Sequence, residues 1–160
     1  MKKALMLLAI TPLALASCDQ LGIPNGDVSG TVTGTAPTGK GSIKLALGSL
    51  TLRGIGNSTP DQIALGTFNP GKKVYAISLP ASPQEGGYDV FAYADSNSNG
   101  RWDNSEPRTR SSSRGLIYSA AGVGKKDGSS LLNLKPGWTQ VQNANVVKSG
   151  KPFRDYNLSW

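Results

Sequence analysis

Oxygen-bearing side chains recur at alternate positions between residues 95 and 106. The stretch reads Asp-Ser-Asn-Ser-Asn-Gly-Arg-Trp-Asp-Asn-Ser-Glu, and it matches the spacing D-x-[DN]-x-[DN]-G-x5-E at every specified position. A hard cation such as Ca²⁺ takes about six to eight oxygen ligands at roughly 2.3–2.6 Å, and alternate side chains of a tight loop can supply them. The sequence therefore predicts a Ca²⁺ site in this loop.

The spacing gives each position of the loop an expected role. Carboxylate and amide oxygens occupy the first, third and fifth places, and Gly100 takes the sharp turn that a Cβ would obstruct. The seventh place contributes a backbone carbonyl, the ninth binds directly or through water, and the twelfth closes the loop. The predicted metal ligands are Asp95, Asn97, Asn99, the carbonyl of Arg101, Asp103 and Glu106.

A metal-free turn is the alternative interpretation of the same residues. Asn, Asp, Gly and Ser form turns on their own, because Asx side chains bond their own backbone and tolerate left-handed conformations. This accounts for residues 97–100 but not for the acids at the first, ninth and twelfth places. We therefore prefer the calcium interpretation, with the weak affinity of about 10⁻⁴–10⁻³ M that is typical of extracellular modules.

The surroundings of the loop are not helical. A strand pattern enters it and Pro107 follows it, so it resembles an EF-hand-type loop placed between strands rather than between helices. Sensing through the opening of a helix pair is then not expected. The expected role is structural, since the ion would neutralise Asp95, Asp103 and Glu106 and hold a long turn.

Turn residues separate short apolar runs along most of the chain. Gly, Pro, Asn and Ser recur between runs of Val, Ile, Leu and Tyr, which is typical of strands and turns, and no window shows a sustained helical period with caps. About seven short strands predict an all-β protein built as an antiparallel β-sandwich, with a small β-barrel as the alternative. The candidate strands are residues 28–35, 42–52, 74–79, 88–94, 115–121, 131–134 and 153–160.

The run that enters the loop has a clear two-residue alternation. One face carries Tyr88, Val90 and Ala92, and the other carries Phe91 and Tyr93. Because successive side chains of a strand point to opposite faces, we expect these two sets to lie on opposite sides of a sheet.

Two segments resemble a known family. Val-Ser-Gly-Thr-Val-Thr-Gly, which begins at Val28, resembles the first strand of transthyretin-like modules, also called carboxypeptidase-regulatory-like, that occur on bacterial surfaces. Gly-Tyr-Asp-Val-Phe-Ala-Tyr-Ala-Asp, which ends at Asp95, resembles the strand that in such modules runs into an acidic loop rich in Asn and Gly. The resemblance covers roughly residues 27–106 and implies a β-sandwich module.

The first 17 residues have the pattern of a secretion signal. A basic Met-Lys-Lys start precedes an apolar run that is shorter than the roughly 20 residues needed to span a bilayer. Leu-Ala-Ser-Cys at residues 15–18 resembles the bacterial lipobox, in which the cysteine becomes the first mature residue and carries diacylglycerol. The resemblance implies lipidation of Cys18 and anchoring in the cell envelope, facing the periplasm or the exterior. An ordinary signal with a chance cysteine is the alternative.

These features divide the chain into three parts: the signal at 1–17, the lipidated cysteine with a short tether at 18–26, and one β domain at 27–160. Loss of Lys2 and Lys3 with the signal would lower the net charge from +7 to +5. Even fully extended, residues 19–26 reach at most about 30 Å, which would keep the domain close to the membrane.

The composition argues against an enzyme. The chain has no histidine and one cysteine, which removes Ser-His and Cys-His catalysis and the usual zinc sites. Nucleic acid is not an expected partner for an exported chain without a recognition motif. The first functional hypothesis is a non-enzymatic, calcium-stabilised envelope module that binds another envelope protein as an accessory or assembly component.

The second hypothesis is a surface lipoprotein that binds a polyanion or a glycan. A basic stretch could attract anionic cell-wall polymer or lipid headgroups, and aromatic side chains could stack on sugars, although a solvated loop and core packing are the simpler interpretations. The basic residues are Arg101, Arg108, Arg110, Arg114, Lys125 and Lys126, and the aromatic ones are Trp138, Phe153, Tyr156 and Trp160.

Overall fold

The computed structural model describes residues 25–50, 60–111, 113–123 and 132–160. The signal predicted at 1–17, Cys18 and the tether up to residue 24 lie outside the described residues. Within them the chain is all-β and contains no helix. The bounds of its strands are β1 Val28–Thr33, β2 Ser42–Ser49, β3 Ile63–Thr67, β4 Val74–Ile77, β5 Gly86–Asp95, β6 Arg110–Ser111, β7 Arg114–Ser119, β8 Gly137–Gln142, β9 Asn145–Ser149 and β10 Leu158–Ser159.

The strands form two sheets, which confirms the predicted β-sandwich. One sheet has four strands in the order β4-β1-β10-β6, and the other has six in the order β3-β2-β5-β7-β8-β9. A large core lies between them and contains Tyr88, Val90 and Ala92, as the alternation of that strand predicted. Burial of such apolar side chains is the main favourable term in folding.

The pairing departs from a purely antiparallel sandwich at one place. β10 pairs with β1 in parallel, whereas the other ladders are antiparallel. The reason is the route of the chain after β9: Phe153 hydrogen-bonds the backbone of Asp27 and Ser29 at the start of β1. The last segment therefore enters the sheet at the end where β1 begins, and it runs in the same direction.

Several strand predictions differ from the structure. Of the strand predicted at 131–134, Leu134 makes only an isolated bridge with Val123, and residue 131 lies outside the described part. Four strands, β3, β6, β8 and β9, were not predicted from the sequence. β8 carries buried Thr139 and Gln140 among its apolar residues, which hides the alternation, while β9 is an edge strand whose residues are almost all exposed.

The strand that leads into the loop is buried on both faces. Every residue of β5 is buried, because its inner face joins the core while Phe91 and Tyr93 on its outer face form a second cluster with Ala46. Trp102 packs against this cluster. The loop after β5 therefore folds back over the outer face of the six-stranded sheet instead of projecting into solvent.

Candidate metal-binding loop

The first predicted ligand lies at the last position of β5. Asp95 pairs with Ser42 of β2, and a Cβ at the neighbouring Gly41 would lie 2.0 Å from the Asp95 carbonyl oxygen, so only glycine allows this close approach. The Asp95 side chain is 2% exposed. Its Oδ2 accepts a hydrogen bond from the Gly100 amide at 3.2 Å, which turns the carboxylate toward the loop. Its Oδ1 is buried and has no hydrogen-bond partner.

Two asparagines shape the turn that follows. Asn97 Oδ1 accepts a hydrogen bond from the Asn99 amide at 3.1 Å, and Asn99 Oδ1 accepts one from the Arg101 amide at 2.7 Å. Gly100 has a φ of 75°, a conformation that glycine adopts without strain. Since an amide oxygen has two lone pairs, each asparagine oxygen can still accept a second partner.

Asp103, at the ninth position of the loop, contacts both asparagines. Asn97 Nδ2 and Asn99 Nδ2 donate to the same Oδ2 of Asp103, at 2.7 Å and 2.9 Å respectively. The structure thus brings together the side chains at the third, fifth and ninth places of the predicted site. Arg101 lies exposed beside them.

Glu106 closes the loop, but it does so through the backbone. Its Oε1 accepts hydrogen bonds from the amide of Ser96 at 2.7 Å and from the Ser96 hydroxyl at 3.0 Å, and its Oε2 accepts one from the Asp103 amide at 3.2 Å. Burial raises the pKa of Glu106, but these hydrogen bonds outweigh it and hold the pKa below its usual range. Hydrogen bonds to a carboxylate favour its charged form.

The three carboxylates therefore do not converge. Among the described residues, no three Asp, Glu, His or Cys side chains lie close enough together to hold a metal ion. The side chains that cluster are those of Asn97, Asn99 and Asp103, and both asparagines meet Asp103 through their amide nitrogens. Asp95 is held nearby through the Gly100 amide. For Glu106 to become a ligand, it would have to exchange its backbone hydrogen bonds for the ion.

The residues that attach the loop to the sheet were not predicted from the sequence. The Trp102 amide donates to Gln62 Oε1 at 3.2 Å, and the Trp102 indole N–H donates to the Glu106 carbonyl at 2.9 Å. The Arg108 guanidinium lies 4.5 Å from the Trp102 ring centroid and 4.7 Å from that of Phe91. Trp102 could have been noticed because it is the one aromatic residue within the polar stretch 95–106. Nothing local pointed to Gln62, which is remote in sequence.

A tyrosine side chain lies beneath the loop. The Tyr93 hydroxyl is buried without a well-aligned hydrogen bond. Burial raises its pKa, and the negative charges of Asp95 and Glu106 raise it further. This phenol therefore stays protonated, and its pKa depends on the charge of the loop.

Several described residues of the second hypothesis have contacts within the fold. Arg108 lies between two rings, Arg114 donates to the Arg154 carbonyl at 3.1 Å, and Lys125 and Lys126 lie outside the described residues. Among the aromatic residues, Trp138, Phe153 and Tyr156 are buried in the core, where they cannot stack on a sugar. Only Trp160 of that set is partly exposed.

No family model, curated protein or solved structure matches the chain. Within residues 25–50, 60–111, 113–123 and 132–160, no helix is long and apolar enough to cross a membrane.

Proposed function

We propose that this protein is a non-enzymatic, lipid-anchored cell-envelope module, related to transthyretin-like modules, whose β-sandwich binds Ca²⁺ and which binds another envelope protein. The observation that carries the calcium part is the Asp95 carboxylate, which is almost fully buried and has one oxygen with no partner. A buried carboxylate oxygen is costly unless something compensates its charge. A cation beside Asp95 would supply that compensation.

The surrounding donor set fits a hard cation. Carboxylate, amide and backbone carbonyl oxygens are the ligands that Ca²⁺ prefers, and the side chains of Asn97, Asn99 and Asp103 already meet at one oxygen. Each asparagine oxygen keeps a free lone pair. The ion would replace the donated amide hydrogens as the partner of Asp103 and bind the free oxygen of Asp95.

Calcium would act in the fold rather than in a reaction. The same loop carries Trp102, which covers part of the outer apolar face around Phe91. An ion that holds the loop would therefore also hold this cover in place. The composition supports a role without catalysis, since the chain has no histidine and its one cysteine is Cys18.

Terbium luminescence tests the metal site directly. Tb³⁺ replaces Ca²⁺ in oxygen sites and is excited by a nearby indole, and Trp102 lies within the loop. We expect Tb³⁺ emission that Ca²⁺ displaces at about 10⁻⁴–10⁻³ M. Trp102→Phe should remove the emission but leave calorimetric Ca²⁺ binding intact.

Matched variants test the ligand assignment. Asp95→Asn should abolish both signals, whereas Asp155→Asn, the same change at an exposed site outside the loop, should leave both unchanged. Mg²⁺ should compete less well because it requires tighter octahedral geometry. Calorimetry that detects no Ca²⁺ binding up to about 10 mM, well above the range of weak extracellular sites, would overturn the calcium proposal.

The anchor rests on the sequence of residues 1–18 and is tested separately. Intact mass of the mature protein should begin at Cys18 and include diacylglycerol. Cys18→Ser should release the protein from the membrane fraction or leave its precursor uncleaved. A mature chain that starts elsewhere and carries no lipid would overturn the anchor and leave the calcium proposal standing.

A further inference from the structure

An open groove of about 740 Å³ lies at one end of the sandwich. It is formed where the loop after β1 faces the loop after β3, and its lining includes Pro37, Ile43, Phe68 and Pro70. Ile43 and Phe68 are buried members of the core between the sheets, so the bottom of the groove is the edge of a packed core. Such a preformed surface can bind apolar side chains without a prior conformational change.

The rim of the groove is basic. Lys40 stands between two lining glycines, and Lys72 and Lys73 follow the lining residue Pro70; all three lysines are exposed. The Lys72 amide donates to the Asn69 carbonyl at 2.9 Å, which closes a tight turn and fixes the backbone that carries this lysine. The cationic groups are therefore presented by ordered turns.

The segments that line the groove, residues 36–43 and 67–70, carry no acidic side chain that would offset this charge. Residues 28–60 and 62–84 contain neither Asp nor Glu. The only ion pair among the described residues joins Lys151 to Asp27, which lies at the other end of β1. Asp95 pairs with the lining residue Ser42, but its carboxylate is buried and accepts a hydrogen bond from the Gly100 amide, so it is turned toward the metal-binding loop.

The position of the groove favours a partner other than the anchoring membrane. β1 starts two residues after Gly26, where the tether ends, and the loop that follows Thr33 forms one wall of the groove. A six-residue strand spans about 20 Å. If residues 18–26 hold the domain at a membrane, the groove opens on the opposite side and faces away from that membrane.

We infer that this groove, with its apolar bottom and its lysine rim, binds an extended acidic segment of a partner protein that alternates acidic with apolar side chains. The apolar side chains would contact Pro37, Phe68 and Pro70, and the carboxylates would meet Lys40 and Lys72. The inference deepens the proposed function, on which its choice of a protein partner rests. Opposite charges at the rim of such a site mainly set specificity and association rate.

The test uses the full-length protein purified in mild detergent. The probe is an acetylated and amidated decapeptide that alternates Glu with Leu and Phe, titrated by calorimetry at low salt. Two matched peptides serve as controls: one has Lys in place of Glu, and the other has Ser in place of Leu and Phe. We expect only the first peptide to bind, with an affinity that falls as salt is raised because the contacts at the rim are screened.

Variants locate the binding site. The double reversal Lys40→Glu with Lys72→Glu should weaken binding on the order of tenfold or more, and Ala36→Asp should weaken it by placing a carboxylate within the apolar lining. Lys135→Glu, the same charge change at an exposed position beside the tether end of the sandwich, should have little effect. Circular dichroism of each variant would verify that it folds.

Three outcomes would overturn the inference: equal binding of the Lys peptide, equal loss in Lys135→Glu and in the double reversal, or no peptide binding at all. Binding only to vesicles of an equimolar mixture of phosphatidylcholine and phosphatidylglycerol would also overturn it, in favour of a lipid surface. These outcomes are independent of the terbium and Cys18 experiments, so the groove can fail while the calcium site and the anchor stand.

Discussion

The effect of Asp95→Asn on the free energy of unfolding should change sign when calcium is added. In chelator, the wild-type protein keeps a buried carboxylate oxygen without a partner, and a neutral amide in its place is easier to bury. The bond from the Gly100 amide is retained, because asparagine also has a side-chain oxygen. We therefore expect the variant to match the wild type or to exceed it by about 1–2 kcal/mol.

Calcium should reverse this order. An ion that binds only the folded state stabilises it by RT ln(1 + [L]/Kd), which is about 2.7 kcal/mol when the free ion exceeds Kd a hundredfold. For a domain of this size, that corresponds to a rise in Tm of about 10 °C. Asp95→Asn lacks the charged ligand and should show little of this rise, so the wild type becomes the more stable protein.

Thermal and urea unfolding in chelator and in about 10 mM CaCl₂ provide the measurement, since this concentration is a hundredfold above the tight end of the expected Kd range. The crossing of the two stabilities is the diagnostic feature, because a variant that is only structurally damaged would be weaker under both conditions. An Asp95→Asn protein that is less stable than the wild type in chelator, or that keeps the full calcium response, would refute the reasoning.

Three further predictions concern the packing and the pH dependence of the domain. Trp102→Ala should cost about 2–3 kcal/mol in urea unfolding because it uncovers the outer apolar face, while Trp102→Phe should cost clearly less; equal losses would argue against the covering role. Burial raises the pKa of Asp89 and outweighs the hydrogen bonds that lower it. The pKa in the folded protein therefore lies above the unfolded value of about 3.9. The stability of the wild type relative to Asp89→Asn should therefore be highest below that value and fall as pH rises through the folded pKa, and a difference that does not vary with pH in urea unfolding would contradict this. Partial burial raises the pKa of Asp27, but the bonds from Lys151 and from the Leu79 amide lower it overall. The contribution of the Asp27 carboxylate to folding stability is therefore present above about pH 4 and lost as pH falls. Lys151→Met should cost about 0.5–1 kcal/mol in urea unfolding at neutral pH, and less in high salt.

Local patterns in the sequence predicted the parts of the fold that depend on local physics. The alternation around Tyr88 and Phe91 determined which side chains enter the core and which face outward, because the two-residue period of a strand is a property of its backbone. The Asn-Gly spacing around Asn97 and Gly100 likewise predicted a tight turn, since Asx hydrogen bonds and positive φ angles need only neighbouring residues. The separation of the strands by turn residues was enough to predict the all-β class.

Other features depend on residues that are remote along the chain, and only the tertiary structure could determine them. The parallel pairing of β10 with β1 follows from where the last segment crosses between the sheets. Trp102 meets Gln62 and Phe91 only because the loop folds back over the sheet. Glu106 matched a ligand position by spacing, yet the folded loop offers it the backbone amides of Ser96 and Asp103. Spacing determines which side chains are available, but the free energy of burial and the competing donors nearby decide which atoms they contact.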